Sequence, residues 1–88
     1  MKEWVRQAEI EILRYLLAHR DARDTIEGIA QWWLPQSGQY KIADVAAALH
    51  GLANRNLIRV WESTSAKAVY GLGSADPHSL EAYLQSLE

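Results

Sequence analysis

Residues 41–72 read KIADVAAALHGLANRNLIRVWESTSAKAVYGL, and this stretch decides the fold that the sequence predicts. Apolar residues recur at helical spacing up to position 54, which predicts a helix over residues 42–54. The polar corner Asn54-Arg55-Asn56 ends that helix. Residues 57–61 and 68–72 contain the β-branched and aromatic side chains expected of strands, and the polar segment STSAK separates them. The stretch therefore predicts a helix that leads directly into a β-hairpin.

Two more helices are predicted before this stretch. Residues 3–19 carry apolar side chains at helical spacing, and the polar segment HRDARD ends the helix. The second helix is predicted to begin at an N-cap formed by Asp24, with Glu27 completing a capping box. It ends at Leu34, because the residue before a proline is pushed out of helical geometry.

A short last helix is predicted within residues 76–88. Asp76 is a suitable N-cap, and Pro77 follows at the first helical position. The helix has one apolar stripe of about two turns and is too short to be stable alone. It must therefore pack on the first helix of its own chain, or on that of a second subunit in a possible homodimer. Both arrangements remain open at this point.

Composition limits the classes of protein that the chain can belong to. Its 88 residues are enough for one domain, and the absence of cysteine excludes disulfides, cysteine-based zinc sites and thiol nucleophiles. The histidines at 19, 50 and 78 have no partner at metal-ligand spacing, so we expect no metal, no cofactor and no enzymatic activity. No apolar run approaches the ~20 residues of a membrane span, and we expect a cytoplasmic protein with no membrane contact.

Charge is distributed unevenly along the chain. The net charge is −2, but residues 41–67 carry four basic and two acidic side chains, so this segment is positive and the remainder is negative. The helix and hairpin therefore hold the net positive charge, a modest asymmetry that an ordinary solvated surface can also produce by chance.

The order helix, helix, helix, hairpin, helix resembles the winged helix-turn-helix family. The phrase VAAALHGLANRNLIRVWE is similar to the recognition helix and first wing strand of bacterial regulators of that family, and TIEGIAQWW resembles the preceding helix. The resemblance covers residues 10–72. It implies an α+β, mostly helical domain of three helices and a two-stranded wing, with residues 76–88 as an added helix. It also implies a small regulator of transcription that binds double-stranded DNA.

The resemblance places the nucleic-acid contacts on the recognition helix, its flanks and the wing. Arg59 and Trp61 alternate with inward-facing residues on the first wing strand. His50 and Asn54 are the expected base-reading groups, and the other residues are expected to contact phosphates. The complete predicted set is Lys41, His50, Asn54, Arg55, Arg59, Trp61 and Lys67.

Two departures from the family pattern favour an alternative function. The outward face of the recognition helix is mainly alanine, at positions 43, 46 and 47, and Asp44 near its N-terminus would repel phosphate. Small side chains let another helix or backbone approach closely, so the alternative is a winged helix used for protein–protein interaction or assembly. Alanine is also the best helix former and often fills exposed positions without a binding role. The target sequence, the partner, any effector ligand and the oligomeric state stay undetermined by the sequence.

Overall fold

The computed structural model describes residues 3–34, 39–62 and 66–88 of the chain. Its elements are α1 (Glu3–Ala18), β1 (Arg23–Asp24), α2, α3 (Ile42–Asn54), β2 (Arg59–Trp61), β3 (Val69–Gly71) and α4 (Pro77–Leu87). The α2 segment begins as one α-helical turn over Ile26–Gly28 and continues as a π-helix over Ile29–Trp33. Within the described ranges the domain is α+β and mostly helical, with one antiparallel sheet in the order β1-β3-β2.

The α1 helix lies at the centre of the domain and packs against both α3 and α4. Its buried face consists of side chains that repeat every three or four residues, as one stripe of a helix requires. The fully buried members of α1 and α3 are Ala8, Ile12, Leu13, Leu16, Val45, Ala48, Leu49 and Leu52. The predicted bounds of α3 are confirmed, and the first helix ends one residue earlier than predicted.

The corner between α3 and β2 is built by a left-handed residue. Asn56 has a φ of 60°, which asparagine tolerates better than most residues do. The Leu57 N–H donates to the Leu52 carbonyl at 3.0 Å and the Asn56 N–H donates to the Ala53 carbonyl at 2.9 Å. These two bonds form a Schellman motif, which satisfies carbonyls at the helix end and sends the chain directly into the hairpin.

The three strands pair in one register that fixes the direction of every side chain. Arg59 and Arg23 both lie opposite Gly71, whereas Val60 and Asp24 both lie opposite Tyr70. Paired residues share a face, and successive residues alternate between faces. The alternation predicted for β2 is therefore confirmed. The strands themselves are shorter than the predicted spans 57–61 and 68–72, and part of the predicted turn lies outside the described residues.

The start of α2 differs from the prediction. Thr25, and not Asp24, is the N-cap, and its hydroxyl accepts from the Gly28 N–H at 3.1 Å. Asp24 is extended instead, because it pairs with Tyr70 in the sheet, and its carboxylate accepts from the Thr25 N–H at 2.8 Å. The cap moves by one residue, so Glu27 no longer has the position that a capping box requires. The end of the segment is as predicted, since Leu34 is extended.

The α4 helix begins as predicted and packs against α1 of its own chain. The Asp76 carboxylate accepts from the His78 N–H at 3.0 Å, with Pro77 at the first helical position. Side chains of α1 reach the other end of α4, where Arg6 donates to the Leu87 carbonyl and Arg14 pairs with Glu88. A two-fold contact through this helix stays a prediction. Among the residues that the structure describes, no helix has the length and apolarity needed to cross a membrane.

Candidate functional site

A groove runs between α3 and the inner face of the hairpin. Its volume is about 470 Å³, and we call it the α3–hairpin groove. Its lining residues are His50, Ala53, Asn54, Val60, Glu62 and Tyr70. The groove forms because the Schellman corner brings β2 back alongside the helix, so that Val60 and Tyr70 face α3. Two of the seven predicted contact residues, His50 and Asn54, lie in it.

The groove is neutral to acidic. The α3 helix contains no lysine or arginine over its whole length, and its exposed stripe continues from His50 to Ala47 and Ala43. The Tyr70 hydroxyl lies 3.5 Å from His50 Nε2, at the limit of a hydrogen bond. Burial, together with the negative charge of Glu62, raises the pKa of Tyr70. The phenol therefore stays protonated, and Glu62 is the charged group of the groove.

Lys67 is paired with a carboxylate away from the groove. Its Nζ lies 3.3 Å from Oε2 of Glu27, and both side chains are exposed. The pKa of Glu27 is lowered, first by a hydrogen bond from the backbone N–H of Glu27 itself and then by the neighbouring Lys67. The predicted phosphate contact of Lys67 thus competes with an ion pair that already exists within the chain.

Arg55 lies toward α4 rather than toward the groove. Its guanidinium lies 4.9 Å from the ring centre of Tyr83, which is a cation–π distance. The Tyr83 hydroxyl in turn donates to Oε1 of Glu9 at 3.1 Å, and Glu9 is only 2% exposed. Burial raises the pKa of Glu9, and the Tyr83 hydrogen bond and the Arg55 charge oppose that effect. Arg55 therefore belongs to a polar cluster that joins α1, α3 and α4.

The outer face of the sheet carries the remaining predicted residues of the hairpin. Arg59 and Trp61 lie here, on the side of the sheet that faces away from α3. The guanidinium of Arg23 lies 4.5 Å from the centre of the Trp61 ring. We call this surface the outer sheet face and define it by the residues Arg20, Arg23, Arg59, Trp61, Gly71 and Gly73, which strands and adjoining turns contribute.

The sequence pattern does not mark Arg20 and Arg23 as site residues, because HRDARD reads as the polar end of the first helix. A two-residue strand has no alternation to detect, so no sequence pattern marks β1. The available signal was compositional: two arginines stand within four residues, shortly before a helix cap.

Exposed apolar residues and Lys41 lie at the opposite end of α3. Trp32 is 70% exposed, whereas its neighbour Trp33 is buried in the core. The ring of Trp4 packs edge-on against Tyr40 with 5.3 Å between centroids. Lys41 precedes α3 as its N-cap, is exposed and contributes no side-chain cap. This end therefore offers one cation beside aromatic surface, at a distance along the helix from His50 and Asn54.

No three histidine, aspartate or glutamate side chains in the described ranges 3–34, 39–62 and 66–88 come together in a group that could hold a metal ion.

Comparison with known proteins gives no relative for this chain. Known protein-family models, curated proteins and solved structures were each compared with it, and none matches.

Proposed function

We propose that the chain is a winged-helix domain that binds a partner protein through the α3–hairpin groove. The order of elements supports the winged-helix assignment, since three helices precede the hairpin and a fourth follows it. The direct passage from α3 into β2 through the Schellman corner supports it as well. Together they give a continuous surface of helix and hairpin that a partner can contact.

The single observation that carries the choice of a protein partner is the absence of basic residues from α3. Most contacts between proteins and DNA go to phosphates, and affinity depends on the lysines and arginines that neutralise them. Because α3 has one aspartate and no cation, it gains no affinity from the neutralisation of phosphates. Arg55 at the end of α3 packs on Tyr83, and Lys67 of the hairpin pairs with Glu27. Among the described residues, only Lys41, at the start of α3, is left as an exposed cation beside the helix.

The partner that fits the groove is an amphipathic helix with a basic side chain. Alanine side chains at 43, 47 and 53 leave room for another backbone to approach α3 closely. Val60 and Tyr70 give the groove an apolar wall, and Glu62 gives it a carboxylate at the edge. A helix with apolar residues at positions i, i+3 or i+4 and i+7 fills such a groove, and a lysine or arginine on it pairs with Glu62.

Double-stranded DNA is the second candidate, and one observation favours it. His50 and Asn54 lie together in the groove, and both side chains can form hydrogen bonds to base edges. Lys41 is the exposed cation nearest the start of α3. If the chain is such a regulator, its affinity for duplex DNA falls steeply as salt rises and depends on these three residues.

A selection with a library of random helical peptides tests the protein-binding proposal. We expect enrichment of peptides with apolar residues at helical spacing and a lysine or arginine. Ala47→Glu places a bulky charge beside the groove and should abolish their binding. Gln85→Glu on the exposed side of α4 changes the charge equally and should leave binding intact. A selection without enrichment, or peptides that bind Ala47→Glu equally well, would contradict the proposal.

Titration with random-sequence duplex DNA tests the second candidate in the same preparation. Binding at low salt that is lost in Lys41→Ala, His50→Ala and Asn54→Ala would favour DNA over a protein partner. Absence of duplex binding that depends on these residues leaves the protein-binding proposal as the better one.

A further inference from the structure

The outer sheet face carries exposed arginines on both sides of a closely packed strip of backbone. The register sets Arg23 and Arg59 on the two sides of Gly71, which has no side chain. A methyl group at Gly71 would lie 2.7 Å from the Ala22 carbonyl oxygen and 3.2 Å from the Trp61 ring, so only glycine fits there without a shift. Gly71 itself is buried, so the two exposed arginines flank a closely packed floor that is formed by backbone and by the half-buried Trp61 ring.

Each of these arginines is held by a neighbour. The guanidinium of Arg23 lies over the Trp61 ring at 4.5 Å, and such stacking fixes its plane while leaving its N–H groups directed sideways. Arg59 donates from Nη1 to the Ser74 hydroxyl at 3.1 Å. A positioned guanidinium loses less side-chain entropy when it binds an anion than a free one does.

Two concavities meet on this face. The first, of about 300 Å³, is lined by Arg20, Asp21, Ala22, Arg23, Trp61 and Gly73. The second, of about 440 Å³, is lined by Asn56, Ile58, Arg59, Ser74, Ala75 and Asp76. Gly73 borders the first and Ser74, the next residue, borders the second, and we call this pair of neighbouring concavities the track. Of its two carboxylates, Asp76 already accepts a hydrogen bond from the His78 N–H.

We propose that this track on the outer sheet face binds single-stranded nucleic acid. Arg20, Arg23 and Arg59 contact successive phosphates, and a base stacks against Trp61 and the guanidinium plane of Arg23. Aromatic side chains beside arginines in a shallow positive groove are the means by which single strands are bound without sequence preference. The site is distinct from the α3–hairpin groove, since β2 directs Arg59 and Val60 to opposite sides of the sheet.

The chemistry of the track favours a nucleic acid over an acidic peptide. Carboxylates of a peptide would satisfy the arginines, but they would leave unused the planar surface of the Arg23 guanidinium that is stacked on Trp61. A nucleotide offers both a phosphate and a flat base, and the first concavity has room for one. We expect a dissociation constant of about 10⁻⁴ to 10⁻⁶ M at physiological salt, as for binding that rests on phosphate contacts.

Fluorescence anisotropy with a labelled oligo-dT of about 12 nucleotides tests the proposal, a length that spans an ordinary single-strand site. The double variant Arg23→Ala/Arg59→Ala should bind about tenfold more weakly at low salt. The slope of log K against log salt should fall by about 1.4, since each phosphate contact on a single strand contributes about 0.7. Arg14→Ala removes an exposed arginine from α1 and should change neither quantity.

A second variant and a second measurement guard against loss of folding. Arg23→Lys/Arg59→Lys keeps the charge but removes the planar forks, so the salt slope should stay while affinity falls in part. Amide chemical shifts with added oligo-dT should change at Gly71 and Gly73, and the indole signal of Trp61 should shift with them. Shifts confined to α3 would overturn the assignment of the outer sheet face.

Competitors separate this proposal from others. Polyglutamate that displaces oligo-dT with equal effect would show a general anion surface and overturn the nucleic-acid assignment, as would absence of binding at low salt. Duplex DNA that competes better than the single strand would overturn the single-strand assignment. None of these outcomes bears on the α3–hairpin groove, whose test depends on Ala47.

Discussion

The two faces of the three-stranded sheet differ in charge, although the same three short strands form both of them. On β2, Arg59 points away from α3 while its neighbour Val60 lines the α3–hairpin groove. On β3, Tyr70 is 5% exposed and faces inward, whereas Gly71 lies on the outer face, where it lets Trp61 and the Ala22 carbonyl pack closely against the strand. Because the side-chain period of a strand is two, adjacent residues take opposite environments. The inner face is neutral to acidic, and the outer face holds arginine and tryptophan.

This difference shows why charge summed along a segment does not locate a charged surface. Residues 41–67 are positive in sum, yet none of their cations lines the α3–hairpin groove. Lys67 pairs with Glu27, Arg55 packs on Tyr83, and Arg59 lies on the outer sheet face. The arginines that join Arg59 there come from another part of the chain, before α2.

The largest effect is expected where the inner face meets the core. Tyr70→Ala should lower the free energy of unfolding by about 3–5 kcal/mol, as the loss of a buried aromatic ring does. Val69→Ala, one residue earlier on the outer face, removes a half-buried side chain and should cost about 1 kcal/mol. Urea denaturation of the two variants measures the difference.

Tyr70→Phe is the control for the hydroxyl of that residue. Its contact with His50 is long, at 3.5 Å, so the variant should be close to the parent protein. If Tyr70→Ala and Val69→Ala lower the free energy of unfolding equally, the inner face does not contribute more to stability than the outer face, and the comparison of the two faces is wrong.

The next largest effect concerns the glycine on the outer face. Gly71→Ala should lower the free energy of unfolding by about 1–3 kcal/mol, because the added methyl group meets the backbone carbonyl of Ala22, which has little freedom to move. Gly51→Ala in α3 is the matched control. There the methyl group approaches only the Glu9 carboxylate, at 3.1 Å, and alanine improves helix propensity by about 1 kcal/mol. A Gly71→Ala variant as stable as Gly51→Ala would contradict the close packing of β1 on β3.

Sequence patterns predicted the elements whose information is local. The bounds of α3 follow from the spacing of its apolar residues, and the start of α4 follows from the pair Asp76-Pro77. The alternation of Arg59 and Val60 follows from the strand period. These features depend on residues within a few positions of one another, which is the range that periodicity and capping rules cover.

The features that sequence patterns missed all depend on distant partners. Asp24 becomes a strand residue only because Tyr70 pairs with it, and this pairing displaces the helix cap to Thr25. In the candidate sites, Arg23 gains Trp61 as a partner through the same sheet, and Arg55 gains Tyr83 through the packing of α4. No local pattern contains such contacts.

The third prediction concerns the polar cluster of Glu9, Tyr83 and Arg55, which keeps Arg55 away from both faces of the sheet. Burial raises the pKa of Glu9 in the folded protein, so the folded state binds its proton more tightly than the unfolded state does. Glu9 therefore contributes full stability at low pH, and this contribution falls as pH rises through the unfolded and then the folded pKa. Relative to Glu9→Gln, the parent protein should lose stability as pH rises above about 4, the ordinary pKa of a glutamate, until it passes the raised pKa of Glu9.

Tyr83→Phe sharpens the Glu9 test. In the parent protein the Tyr83 hydroxyl donates to Glu9 and thereby lowers the pKa of Glu9. The variant lacks this hydroxyl, so the pKa of Glu9 should rise further. Urea denaturation across the same pH range should then show a loss that extends to higher pH. A stability difference between the parent protein and Glu9→Gln that stays constant with pH would show that Glu9 is not the titrating group.

The smallest effect is expected at the exposed pair of Lys67 and Glu27, which decides whether Lys67 is free to bind a ligand. Lys67→Ala should raise the pKa of Glu27 only part of the way to its ordinary value, since the backbone N–H of Glu27 is the larger cause of its depression. Carboxyl NMR titration of Glu27 measures this change, and Lys41→Ala serves as the control cation without contact to it. About 1 M salt should remove most of the difference, because it screens exposed charges beyond about 3 Å. A pKa of Glu27 that does not respond to Lys67→Ala would leave Lys67 free, and the hairpin would then have a cation to offer a phosphate on the α3 side as well.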